Sequence, residues 1–214
     1  MAATGKPSDE PRRLLILTGL PGSGKSSLSR ELINTLGPDW EILHADDFIG
    51  PTYSLYRDPN TGSIRPWPLI RSHHARFAGE SVAYHMNDHR KHVLLEGHFR
   101  SGWEITSILS ATADLIPQLR RDARFTHDIF LLERDREWIL EHMVTNEHRF
   151  PDLLPATFEN SERVETLRQW IFEEATIDLG SLVHLQVAAA DNDYPELAAL
   201  VTSHLRTVRK KTDR

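Results

Sequence analysis

A three-layer α/β domain, with a five-stranded, mainly parallel sheet flanked by helices, is the fold the sequence predicts, and three observations carry it. Apolar runs of four to six residues recur along the chain. Longer stretches with helically spaced apolar residues lie between them. No repeat, low-complexity tract or linker divides the 214 residues. Strands that alternate with helices need crossover connections, and these leave the strands parallel with helices covering both faces.

The elements follow in order. Residues 1–13 mix small, charged and proline residues and predict a loose tail. Leu14 to Thr18 is a continuous apolar run closed by a threonine, the pattern of a strand buried on both faces. A turn of glycines and a proline comes next. Leu28, Leu32 and Leu36 then recur at spacings of four and are stopped by Gly37-Pro38, which predicts a helix. Glu41 to His44, His92 to Glu96, Asp128 to Leu132 and Leu182 to Val187 predict four further strands.

Ile70, Phe77, Ala78, Val82 and Met86 predict one helical stripe between the second and third strands. Ile105, Ile108, Leu109 and Ile116 predict another, interrupted by Pro117, and Val164, Leu167, Ile171 and Ala175 a third. The last helix is to be capped by Asn192 or Asp193, with Pro195 in its first turn and Leu197, Leu200, Val201, Leu205 and Val208 along one face. Residues 209–214 are charged and predict a frayed end, which leaves 14–208 as one domain.

Composition narrows the chemistry. With 39% hydrophobic and 26% charged residues, the chain can bury a sizeable core. It has no cysteine, which excludes disulfides, thiolate zinc sites, iron–sulfur clusters and a cysteine nucleophile. Twenty-five basic against thirty-one acidic residues give a net charge of -6, which argues against nucleic acid as the main partner. No apolar run approaches the roughly 20 residues of a membrane span, and the first residues lack the apolar core of a secretory signal. A cytoplasmic protein without membrane contact is expected. The twelve histidines are spread along the chain and predict no metal centre of their own.

The turn after the first strand carries the main functional signal. Gly19-Leu20-Pro21-Gly22-Ser23-Gly24-Lys25-Ser26 fits the phosphate-binding loop pattern, and it sits between a strand and a helix, the context that this motif demands. Its glycines let successive backbone N–H groups point at phosphate oxygens. The new helix adds the positive end of its dipole, Lys25 adds a point charge, and the Ser26 hydroxyl can ligate Mg²⁺. Gly19, Pro21, Gly22, Ser23, Gly24, Lys25, Ser26 and Ser27 are the expected nucleotide-binding residues.

Two further segments specify what the nucleotide is for. Asp46 and Asp47 follow the second strand, at the carboxyl end where open α/β sheets keep their ligands. Glu96 ends the third, followed by Gly97-His98-Phe99-Arg100. Three acids and a phosphate loop along one sheet edge suit phosphoryl transfer to a hydroxyl, with Mg²⁺ bridging the phosphates and a carboxylate taking the acceptor's proton.

Lys25-Ser26, Asp46-Asp47-Phe48 and Glu96-Gly97 together resemble the P-loop small-molecule kinases, especially the uridine kinase and nicotinamide riboside kinase group, over residues 14 to about 100 and beyond that by element order. The resemblance implies ATP as donor and Mg²⁺ as cofactor. It also implies Asp46 as general base near the metal, Glu96 as the acid of the metal site beside Ser26, and a mobile arginine-bearing lid over about 134–160. Arg149 is the first choice for the closing arginine and Arg136 the second. The chain departs from the riboside kinases at Ile64-Arg65-Pro66-Trp67, where those enzymes carry an acid for ribose hydroxyls. Asp47, Tyr53, Tyr56, Arg57, Arg65, Trp67, His98 and Arg100 come from the segments that would form the acceptor pocket. Such residues suit a nucleoside, a sugar or a hydroxylated antibiotic-like molecule alike.

Other classes share the loop. A regulatory GTPase needs an Asn-Lys-x-Asp base-reading motif, which is absent. A P-loop ATPase doing mechanical or assembly work could use Glu96 as its acid, but the chain leaves little room for a second domain. A non-catalytic nucleotide-binding protein has no need of Asp46, and a polynucleotide end kinase sits poorly with the negative charge.

Overall fold

A computed structural model describes residues 11–20, 22–48, 67–99, 102–119, 125–135, 137–139, 183–186 and 194–212. Its strands are β1 (Arg12–Gly19), β2 (Trp40–His44), β3 (His92–Glu96), β4 (Phe125–Glu133) and β5 (Val183–Gln186). Its helices are α1 (Lys25–Leu36), α2 (Trp67–Asp88), α3 (Gly102–Leu119) and α4 (Tyr194–Thr212), and a short 3₁₀ turn spans Ala45–Phe48. The sheet order is β2-β3-β1-β4-β5, and every neighbouring pair is parallel.

The period-two alternation of a strand explains how one apolar run serves two cores. Leu14 and Ile16 of β1, with Val93 and Leu95 of β3, face α2 and α3 and pack on Ala78, Val82, Ile105 and Ile108. Leu15, Leu17, Leu94, Phe130 and Leu132 face the opposite way and pack on Leu28 and Leu32 of α1 and Val201 and Leu205 of α4. Helices therefore cover both faces, as the unbroken apolar runs require. Among the described residues no helix is long and apolar enough to cross a membrane.

Several boundaries differ from the sequence reading. β1 begins at Arg12, so Arg12 and Arg13 belong to the sheet and not to a loose tail. The backbone N–H of Arg13 donates to His92 Nδ1, and its guanidinium bonds Leu205 O and Asp128. Charged residues can open a strand when their heads find partners at its end. At the other terminus α4 runs to Thr212, past the expected limit at 208, since lysine and arginine are good helix formers and suit a helix C-terminus. α3 continues through Pro117, which falls in its last turn with only two residues after it.

Phe77 and Leu200, both placed on core stripes by spacing alone, are 46% and 52% exposed. Ala75, Ala78, Val82 and Met86 define the buried face of α2 instead, and the Phe77 ring meets Phe48 edge-on at 5.7 Å. The stripe at 164–175 and the caps Asn192 and Asp193 lie outside the described residues.

Leu94 is fully buried in a strand with a neighbour on each side. Leu94→Ala is expected to lower unfolding stability by about 2–5 kcal/mol, read from urea denaturation, because a well-supported sheet cannot collapse into the cavity.

Candidate active site

Five residues separate the end of β1 from the start of α1, and Gly24 makes the turn into the helix. Gly24 takes φ 96° and ψ 16°, a left-handed conformation, and the side where its Cβ would project is filled by the Tyr194 hydroxyl. Any other residue there is strained twice, by its backbone and by its neighbour. Among the described residues no side chain caps α1, and its first turn holds no acid. The amides and positive dipole end of the helix are therefore left facing the loop, the arrangement that binds phosphate. Lys25 folds back over this loop, its Nζ donating to Leu20 O at 2.9 Å.

β3 closes the other side. Leu17 is in register with Glu96, and the N–H of Gly97 donates to Leu17 O at 3.1 Å. Just beyond, the Phe99 N–H donates to Thr18 Oγ1 at 3.2 Å and His98 Nδ1 reaches Gly19 O at 3.0 Å, so the chain after β3 is fastened to the chain entering the loop. Gly97 permits the close approach: a Cβ on it would lie 2.6 Å from the Ala45 Cβ and 2.8 Å from the Phe99 ring.

Glu96 lies at the centre of these contacts. It is 7% exposed, and three donors reach its carboxylate: Ser26 Oγ at 2.8 Å on Oε1, and His44 Nδ1 at 2.7 Å and Ser29 Oγ at 3.3 Å on Oε2. Asp46 and Asp47 lie in the 3₁₀ turn directly after β2, both exposed. That turn is tied to α2 by His74, whose Nε2 lies 2.7 Å from Ala45 O.

Lys25 is buried at 8% exposure, and burial pushes its ammonium below the ordinary 10.5, against the opposing pull of the Glu96 and Asp46 carboxylates. The folded chain gives up this proton before the unfolded chain does. The charge therefore costs stability at neutral pH, and stability rises with pH between the lowered value and 10.5.

The donor set fits Mg²⁺. Ser26 Oγ and the Glu96 and Asp46 carboxylates are hard oxygen ligands, and Mg²⁺ is characteristically held by one or two carboxylates together with phosphate oxygens and water. Among the described residues no group of three or more His, Asp or Glu side chains forms a metal cage by itself.

The structure thus brings together Gly19, Gly22, Ser23, Gly24, Lys25, Ser26, Ser27, Asp46, Asp47, Glu96 and His98 along one sheet edge. His98, expected on the acceptor side, is hydrogen-bonded to the loop backbone. Trp67 opens α2. Pro21, Tyr53, Tyr56, Arg57, Arg65, Arg100, Arg136 and Arg149 lie outside the described residues.

At the start of the expected lid, Arg134 is buried at the end of β4, its guanidinium 3.7 Å from the Trp138 ring centre and its Nη2 3.1 Å from the Tyr194 hydroxyl. It supports the loop from behind through Tyr194. Sequence reasoning missed His44, Ser29 and Tyr194. Signals existed for two of them: Ser29 lies three residues past Ser26 on the same helix face, and His44 is the last residue of a strand aimed at the site.

No model of a known protein family matches the sequence, and no curated protein sequence matches it. Solved structures do. A sugar kinase from Janibacter sp. aligns with TM-score 0.60 at 15% identity, covering 92% of this chain and 95% of that one. An APS kinase of Mycobacterium tuberculosis, in complex with AMPPNP and APS, aligns with TM-score 0.58 at 16% identity, covering 92% and 99%. A gluconokinase from Sinorhizobium meliloti aligns with TM-score 0.52 at 18% identity, covering 95% and 98%. The likeness is one of fold, a parallel sheet flanked by helices, and it extends over nearly the whole chain.

Lys25→Met removes the buried charge while Glu96 keeps its three donors. The ligand-free variant is expected to melt no lower than the wild type at neutral pH and to lose the rise in Tm toward pH 10.5. Thermal melts across a pH series check this, and a variant that melts several degrees lower contradicts it.

Proposed function

We propose that the protein is a Mg²⁺-dependent kinase that transfers the γ-phosphate of ATP to a hydroxyl group of a small molecule. The observation that carries this reading is the meeting of three parts at one edge: an uncapped helix end with Lys25 folded over its loop, the buried Glu96 bonded to Ser26, and Asp46 on the neighbouring strand end. A site built only to hold nucleotide has no need of the last.

In this reading the loop amides and Lys25 hold the β- and γ-phosphates. Ser26 and Glu96, with Asp46 beside them, hold Mg²⁺, which neutralises charge on the phosphate oxygens. Asp46 accepts the proton of the acceptor hydroxyl as its oxygen bonds to the γ-phosphorus. The bond from that phosphorus to the β–γ bridging oxygen breaks, and ADP departs. Arg149, or Arg136 in its place, closes over the transferring group and helps exclude water.

The acceptor is assigned to the segment between β2 and β3, with Asp47, Tyr53, Tyr56, Arg57, Arg65 and Trp67 as its side chains, and to Arg100 just after β3. Sugar kinase, gluconokinase and APS kinase are the names carried by the similar structures, so the acceptor class is drawn more widely than the ribosides. Nucleosides, sugars, sugar acids and hydroxylated antibiotics all belong to it.

A screen of such compounds for stimulated ATP consumption, with Lys25→Ala as the blank, is expected to yield an acceptor. Hydrolysis that no compound stimulates would favour an ATPase. Asp46→Asn is expected to keep nucleotide binding while phosphate transfer falls by about a hundredfold or more, the usual weight of a general base. Transfer at the original rate would remove Asp46 from that role.

A further inference from the structure

We propose that His44 is a positioning residue for the metal site: it fixes the Glu96 carboxylate so that Oε1 is presented to Ser26 and to Mg²⁺. This rests on the kinase reading above and adds a residue to it. His44 ends β2 directly opposite Glu96, which ends β3, so the sheet register itself brings the two side chains together. His44 Nδ1 stands 2.7 Å from Oε2. An ionised carboxylate only accepts hydrogen bonds, so the ring carries its proton on Nδ1 and donates it.

The division of donors over the carboxylate supplies the argument. Oε2 takes two, His44 Nδ1 from β2 and Ser29 Oγ from α1, whereas Oε1 takes Ser26 Oγ. The terminal torsion of a glutamate is broad and roughly two-fold, so the carboxylate of an unsupported Glu96 would turn. Donors arriving on one oxygen from two different elements remove that freedom. The other oxygen is then held beside the serine of the phosphate loop. Ser29 is fully buried and shares its hydroxyl with Ser26 O at 3.2 Å. The shorter bond, from His44, is the stronger constraint.

The test is a Mg²⁺ titration of the binding of a fluorescent ADP analogue to the wild type, His44→Phe and His44→Asn. Removing an outer partner of a metal ligand typically costs about 10–100-fold in metal affinity. The Phe variant is expected to need that much more Mg²⁺ for half-maximal effect while its Mg²⁺-free affinity for the analogue is unchanged. Asparagine, whose amide can donate from nearly the place of Nδ1, is expected to restore most of the loss.

A Phe variant with the wild-type Mg²⁺ dependence overturns the role of His44 and leaves the kinase reading intact. If Phe also weakens Mg²⁺-free binding and Asn restores nothing, the residue is merely structural and the proposal falls. Wild-type binding that ignores Mg²⁺ overturns the kinase reading, and this role with it.

Discussion

A carboxylate removed from water has to be hydrogen-bonded, and Glu96 satisfies that requirement only because four elements converge on it. α1 contributes Ser26 and Ser29, β2 contributes His44, β3 carries the acid, and β1 fixes its height through the pairing of Leu17 with Glu96. The parallel register does most of this. A slip of one residue in β3 would send the carboxylate to the other face and bring Leu95 to the phosphate loop. The two apolar cores, one on each face, make such a slip expensive, so the packing of Leu14 to Leu17 and Val93 to Leu95 also holds the chemistry in place.

The same edge concentrates features that do not help folding. Gly24 sits in a conformation that other residues avoid, α1 starts without a side-chain cap, and the Lys25 ammonium is buried at a cost that Glu96 and Asp46 only partly offset. Each is a local departure from what stability alone would select, and together they turn positive charge toward one loop. Tyr194 and Arg134 brace that loop from behind, linking the end of β4 and the start of α4 to the phosphate side. The acids face the loop from the opposite strands. A polar site of this kind, set between two rigid cores, suits a charged ligand whose own charge completes the balance.

Much of this was legible in the sequence because its signals are local. A four-residue apolar run, a glycine turn and leucines at spacings of four specify β1, the loop and α1 without knowledge of the rest. Asp46 and Glu96 could be found because the carboxyl end of a parallel strand is a position, and a position follows from order along the chain. His44 and Ser29 could be placed near the site in this way but not paired with Glu96: that partner lies 52 and 67 residues distant, and the β2–β3 register brings His44 to it while the packing of α1 on the sheet brings Ser29. Phe77 and Leu200 were misplaced for a related reason. Helical spacing offers more than one apolar stripe, and the facing helix decides which is buried. Arg13, read as tail, is held by Leu205 O and Asp128, two groups that the linear sequence gives no reason to connect.

The central claim is that the loop, Lys25, Ser26 and Glu96 form one phosphate and metal site at the β1–β3 edge. A crystal structure with a non-hydrolysable ATP analogue, and Mn²⁺ in place of Mg²⁺, tests it most directly. The terminal phosphates are expected on the amides of Gly22 to Ser26, with an anomalous metal peak bonded to Ser26 Oγ and Glu96 beside it. Phosphates bound elsewhere on the chain, or a metal peak away from Ser26 and Glu96, would contradict it.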